Sequence, residues 1–121
     1  MFEIRRVQGG ARGRSAGSAC GGFAWAVATS NDPVADMYIQ TRNALAKIDG
    51  ILAELGTDKT RLVNATIYVD RMQLKDEMDR AWCEWIGDDP DNWPQRACIE
   101  ARLFKYDLVE VVVIAAEPVA A

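Results

Sequence analysis

A single carboxylate interrupts an apolar run near the end of the chain, Val109-Glu110-Val111-Val112-Val113-Ile114. An ionised carboxylate in such a strand is costly to bury unless a cation, a hydrogen bond or a water compensates it. Arg96, near the start of the preceding apolar segment, is the cation that antiparallel pairing of the two strands, or contact across a subunit boundary, could bring to it. A planar guanidinium takes a carboxylate through two parallel hydrogen bonds. Arg96 and Glu110 are therefore the residues whose types could carry chemistry. The same two residues also suit a buried or interfacial ion pair with no catalytic role.

The chain contains no histidine, which removes the commonest general base, the triads that depend on one and the usual zinc ligand. Chemistry must come from Arg, Glu, Asp, Tyr, Cys, Ser, Thr or the backbone. Cys98 lies two residues after Arg96 and so shares its strand face. Without a histidine it reads as a neutral thiol lining the same site, although Arg96 could supply some activation. Arg14 is a further substrate-binding candidate, although a Gly-rich loop with Arg12 and Arg14 also suits plain solvation. The three cysteines, Cys20, Cys83 and Cys98, match neither zinc-site nor C-x-x-C spacing and are expected to be reduced thiols. Gly9-Gly10 and Gly21-Gly22 lack nucleotide-loop spacing and read as turns. No metal and no cofactor is expected.

The elements that must hold these residues follow from the hydrophobic pattern. Phe2 to Val7 and Phe23 to Ala28 read as short antiparallel strands within a Gly-, Ala- and Ser-rich opening. Asn31-Asp32-Pro33 supplies a helix start. Val34, Met37, Thr41, Ala44, Leu45, Ile48, Ile51, Leu52 and Leu55 then form one helical stripe, with Gly56 as the stop. Arg61 to Val69 reads as a strand, Leu74 to Ile86 as a second helix, and Arg96 to Leu103 and Leu108 to Ala116 as two further strands. Trp82 and Trp85 in the second helix read as core or interface aromatics. The order β-β-α-β-α-β-β predicts an α+β fold, a mixed sheet with both helices packed on one face. The last strand is apolar on both faces apart from Glu110, so a partner subunit is expected to cover the sheet's other side.

The chain of 121 residues fits a single domain, residues 1–121. Its net charge of −4 and lack of a Lys/Arg run argue against nucleic acid as a partner. No apolar run approaches a membrane span, and the opening residues are too short for a signal peptide, so no membrane is expected and the cytoplasm is the expected location.

Five segments in order resemble one known family. Gln40-Thr41-Arg42-Asn43-Ala44-Leu45 with Ile48 and Ile51-Leu52 resembles the first-helix signature of the Rid family, the YjgF-type reactive intermediate deaminases. Val63 to Val69 (VNATIYV) resembles its central strand and Met78-Asp79-Arg80-Ala81-Trp82 its second helix. Pro94-Gln95-Arg96-Ala97-Cys98-Ile99 resembles its P-x-R-x-x-V/I signature, and Leu108-Val109-Glu110-Val111 with Ile114-Ala115 its closing strand. The match is to the small, YoaB-like subgroup. The resemblance implies a chorismate-mutase-like fold, a homotrimer with three clefts between subunits, and hydrolysis of 2-imino or 2-enamino acids, as in 2-iminobutanoate/2-iminopropanoate deaminases. In that implied role Arg96 holds the substrate carboxylate and Glu110 positions the attacking water. The alternative is a non-catalytic trimer of the same fold that binds a small carboxylate or regulates a partner. Family members have also been described as endoribonucleases, a role that the acidic charge and missing histidine disfavour here. Where the family has a tyrosine in its early strand, this chain has Arg12-Gly13-Arg14-Ser15. Val27-Ala28-Thr29 stands in place of a Ser-Gly-Gln, and Val112 replaces a second acidic residue.

Overall fold

A computed structural model describes residues 2–118. Its elements are β1 (Arg5–Gln8), β2 (Ser15–Cys20), β3 (Phe23–Thr29), α1 (Met37–Glu54), β4 (Leu62–Val69), α2 (Lys75–Ile86), β5 (Gln95–Glu100) and β6 (Val109–Ala116). The strands form one mixed six-stranded sheet in the order β1-β2-β3-β6-β4-β5. All neighbours are antiparallel except β4 and β5, which run parallel. The α+β reading with two helices on one face holds.

Strand β2 does not figure in the sequence pattern. Its residues, SAGSAC, are small and lack the β-branched and aromatic types that favour strands. Its strand character comes from pairing with β1 on one side and β3 on the other. The smallness has a use on the helix side. A Cβ on Gly17 would come within 2.5 Å of Ile51 Cγ2 and 2.7 Å of the Trp25 carbonyl oxygen, so α1 can sit this close only over a glycine. Gly21 and Gly22, with φ of +63° and +96°, make the two-residue reversal into β3.

The first helix starts later than Asn31-Asp32-Pro33. Asp36, in an extended conformation, caps α1 by accepting the Ile39 amide at 2.9 Å. Asn31 has φ +60° and Asp32 accepts the Val34 amide at 3.2 Å, so those residues form a turn instead, and Val34 is 91% exposed rather than part of the stripe. The buried Gln40 locks this turn. Its Nε2 donates to the carbonyls of Asp32, Ala35 and Tyr106, and its Oε1 accepts the Leu108 amide.

The core lies between the sheet and α1. Leu45, Ile48 and Leu52 pack toward Ala24, Ala26 and Ala28 of β3 and Val111, Val113 and Ala115 of β6. Alanines on β3 let the helix approach, and each fully buried leucine or isoleucine contributes about 1.5–3 kcal/mol. α2 packs on α1 and adds Met78, Trp82 and Ile86 to the same cluster.

The opposite face carries Phe23, Trp25 and Val27 of β3, Ile99 of β5, and Val112 and Ile114 of β6, all partly or largely exposed.

Candidate functional site

Register decides which way each candidate residue points. Arg96 pairs with Ala65 and Cys98 with Ile67, and both of those β4 residues are fully buried on the helix side. Arg96 and Cys98 therefore face α2, on the outer strand of the sheet. Glu110 lies between the buried Val109 and Val111 in β6, opposite Tyr68 of β4 and Thr29 of β3. It points to the open apolar face.

Of the two routes by which Arg96 could reach Glu110, antiparallel pairing of β5 with β6 is ruled out, because β4 lies between them. β5 follows α2 as a parallel crossover and takes the edge beyond β4, which leaves β6 to close the sheet against β3. Within one chain Arg96 and Glu110 sit on opposite faces and do not share a ligand. Arg14 precedes β2 and is exposed. Four strand steps separate β2 from β5, roughly 19 Å at about 4.8 Å per step, so Arg14 and Arg96 of one chain are not brought together either.

Arg96 is instead held by α2. Its Nη2 donates to Asp79 Oδ1 at 2.6 Å, its Nη1 approaches the Met78 sulfur at 3.8 Å, and its Cζ lies 5.5 Å from the centre of the Trp82 ring. Asp79 is shared, because its Oδ2 accepts from Lys75 Nζ at 2.7 Å. Lys75 and Asp79 are four residues apart on α2 and so stand on one helix face. Burial works to raise the Asp79 pKa, but the hydrogen bonds and charges of Lys75 and Arg96 outweigh it and hold the carboxyl below its ordinary value. The Arg96 side chain is 19% exposed, and the rest of its fork meets no protein oxygen among the described residues. The arrangement can present a pre-aimed guanidinium to a second carboxylate.

Cys98 lies two residues along the same strand face, next to Arg96. Burial pushes its thiol up, and Arg96 and Lys75 pull against that without prevailing, so it is a neutral lining group rather than a thiolate nucleophile. All three cysteines are free. Trp82 belongs to the core and, with Trp85 at 5.4 Å between ring centres, backs the site. Glu110 makes no ion pair among the described residues. Those residues contain no grouping of three or more metal-ligating side chains, and no helix is long and apolar enough to cross a membrane.

Lys75 and Asp79 were not singled out from the sequence. The available signal was their four-residue spacing beside Met78 and Trp82, which places a charged pair at the border of the helix's apolar stripe.

The family described as Endoribonuclease L-PSP matches residues 19–117. The chain is 46% identical over 86 residues to a RutC family protein of Haemophilus ducreyi, covering 70% of this chain and 72% of the relative. It is 34% identical over 84 residues to the RutC family protein YoaB of Escherichia coli, covering 68% and 71%. The crystal structure of a YjgF family member from Neisseria meningitidis superposes with a TM-score of 0.88 at 31% identity, over 98% of each chain.

Proposed function

The chain belongs to the Endoribonuclease L-PSP family, also called the Rid or YjgF family, and from that membership we propose that it hydrolyses small 2-imino acids in clefts between the subunits of a homotrimer. The observation that carries the reading is the Arg96 guanidinium, half-sheltered on the outer strand and steadied by Asp79 at 2.6 Å, with the rest of its fork open to a substrate carboxylate.

In the proposed reaction Arg96 binds the carboxylate of a substrate such as 2-iminopropionate, which fixes the adjacent C=N carbon. A water adds to that carbon, forming the C–O bond, while the π electrons of the C=N bond move to nitrogen, which takes up a proton. The C–N bond then breaks, ammonia leaves, and the hydroxyl loses its proton to give the 2-oxo acid. Glu110 orients the water, accepts its proton and returns it to the departing nitrogen. No cofactor enters the balance.

Because Glu110 and Arg96 face opposite ways within one chain, they meet only when the open face of one subunit lies against the β5 edge of another. The exposed Phe23, Trp25, Ile99 and partly exposed Ile114 support that packing, since their burial is the driving force a stable oligomer needs.

One observation favours a second reading. A single chain assembles a carboxylate anchor whose one neighbouring carboxylate, Asp79, is already bonded to Arg96 and Lys75, which suits a non-catalytic trimer that holds a small carboxylate metabolite. Ammonia release from freshly generated 2-iminopropionate separates the two. Acceleration by the native protein that is lost in Arg96→Ala supports the deaminase, and carboxylate binding without acceleration supports the binding protein.

A further inference from the structure

Three charged side chains meet at the outer strand: Lys75 and Arg96 carry one positive charge each, and Asp79 bonds to both, at 2.7 Å and 2.6 Å. The neighbouring Cys98 thiol is uncharged, and the other nearby walls, Met78 and Trp82, are apolar. The cluster thus carries a net single positive charge. Asp79 engages Arg96 through one oxygen only, so the guanidinium is fixed in direction while part of its fork stays free. Lys75, tied to the other oxygen of Asp79, is not free to receive a second anionic group without giving up that partner.

We propose that Asp79 is the specificity-determining residue of this site, so that it accepts acids with one carboxylate and an uncharged remainder and rejects dicarboxylates. This rests on the reading that Arg96 is the carboxylate anchor. A monoanion brings this three-residue cluster to neutrality, and Glu110 of the neighbouring subunit, where the proposed function places it, adds one negative charge that weighs further against a dianion. A dianion would leave an uncompensated negative charge beside Asp79, where the Arg96 and Asp79 side chains are only 19% and 27% exposed and like charges repel strongly. Replacing Asp79 by an isosteric amide raises the cluster's charge by one and frees Lys75. Replacing Lys75 by an amide lowers the charge by one. The two changes should move selectivity in opposite directions, an outcome that a merely structural role for either residue would not produce.

Calorimetric titration of the full-length protein with butyrate and with succinate reads this directly. The native protein should bind butyrate about tenfold tighter than succinate, Asp79→Asn should erase or invert that ratio, and Lys75→Gln should widen it. Arg96→Gln should lose both ligands. If butyrate binding disappears in Arg96→Gln while the ratio is the same in the native protein, Asp79→Asn and Lys75→Gln, the charge assignment is wrong and the anchor stands. If butyrate binds equally well to native protein and Arg96→Gln, or not at all, the anchor itself is wrong and the specificity proposal falls with it. Should Asp79→Asn not fold, the Lys75→Gln ratio alone decides: unchanged, it overturns the proposal.

Discussion

Arg96 and Glu110 occupy opposite faces of one sheet. Arg96 pairs with Ala65 and faces α2, whereas Glu110 pairs with Tyr68, three residues further along the same β4 strand, and faces away from the helices. Three residues of strand span about 10 Å, and β4 itself stands between the two. The proposed catalytic partnership between them therefore requires an assembly and is not available within one chain.

The first prediction concerns acid. The folded-state pKa of Asp79 lies below its ordinary value of 3.8, so protonating it costs the folded state more than the unfolded one. Its stabilising contribution is therefore present above pH 3.8 and is lost as pH falls through the lower folded value. Asp79→Asn should be less stable than the native protein in urea at pH 7, and the gap should close on acidification below the ordinary aspartate range. A gap that persists or grows there would contradict the ion-pair account.

A second prediction concerns how closely α1 packs. Gly17→Ala should lower the unfolding free energy by about 1–3 kcal/mol, because the new methyl meets both Ile51 and the Trp25 backbone. Urea unfolding at matched protein concentration measures it. A neutral substitution would mean that the helix can move off the sheet without loss.

The third concerns the open face. Native protein should sediment as three chains at micromolar concentration, and Trp25→Asp, which places a charge in the middle of the exposed apolar strip on β3, should release monomers. A stable native monomer would remove the subunit cleft altogether.

Much of this fold was legible in the sequence because it rests on periodicity. The stripe from Met37 to Leu52 and the buried valines of β6 follow directly from apolar spacing. What was not legible depends on tertiary pairing. SAGSAC becomes a strand only between two neighbours. The choice of Asp36 over Asn31 or Asp32 as cap turns on a local loop geometry that Gln40 fixes from α1. The same holds for the site. Arg96 and Cys98 share a face, as their two-residue spacing requires, but the crossover that sends β5 beyond β4 cannot be read from a list of strands, and it is what separates Arg96 from Glu110.

The shared site is tested most directly by mixing two defective proteins. Arg96→Ala and Glu110→Gln, each purified alone, should hydrolyse 2-iminopropionate at least about a hundredfold more slowly than the native protein. When the two are unfolded together and refolded as an equimolar mixture, random assembly places an intact Arg96 opposite an intact Glu110 in about a quarter of the clefts of a closed ring. Recovery of roughly a quarter of the native rate of ammonia release is the predicted result. A mixture no more active than its two components would contradict the account.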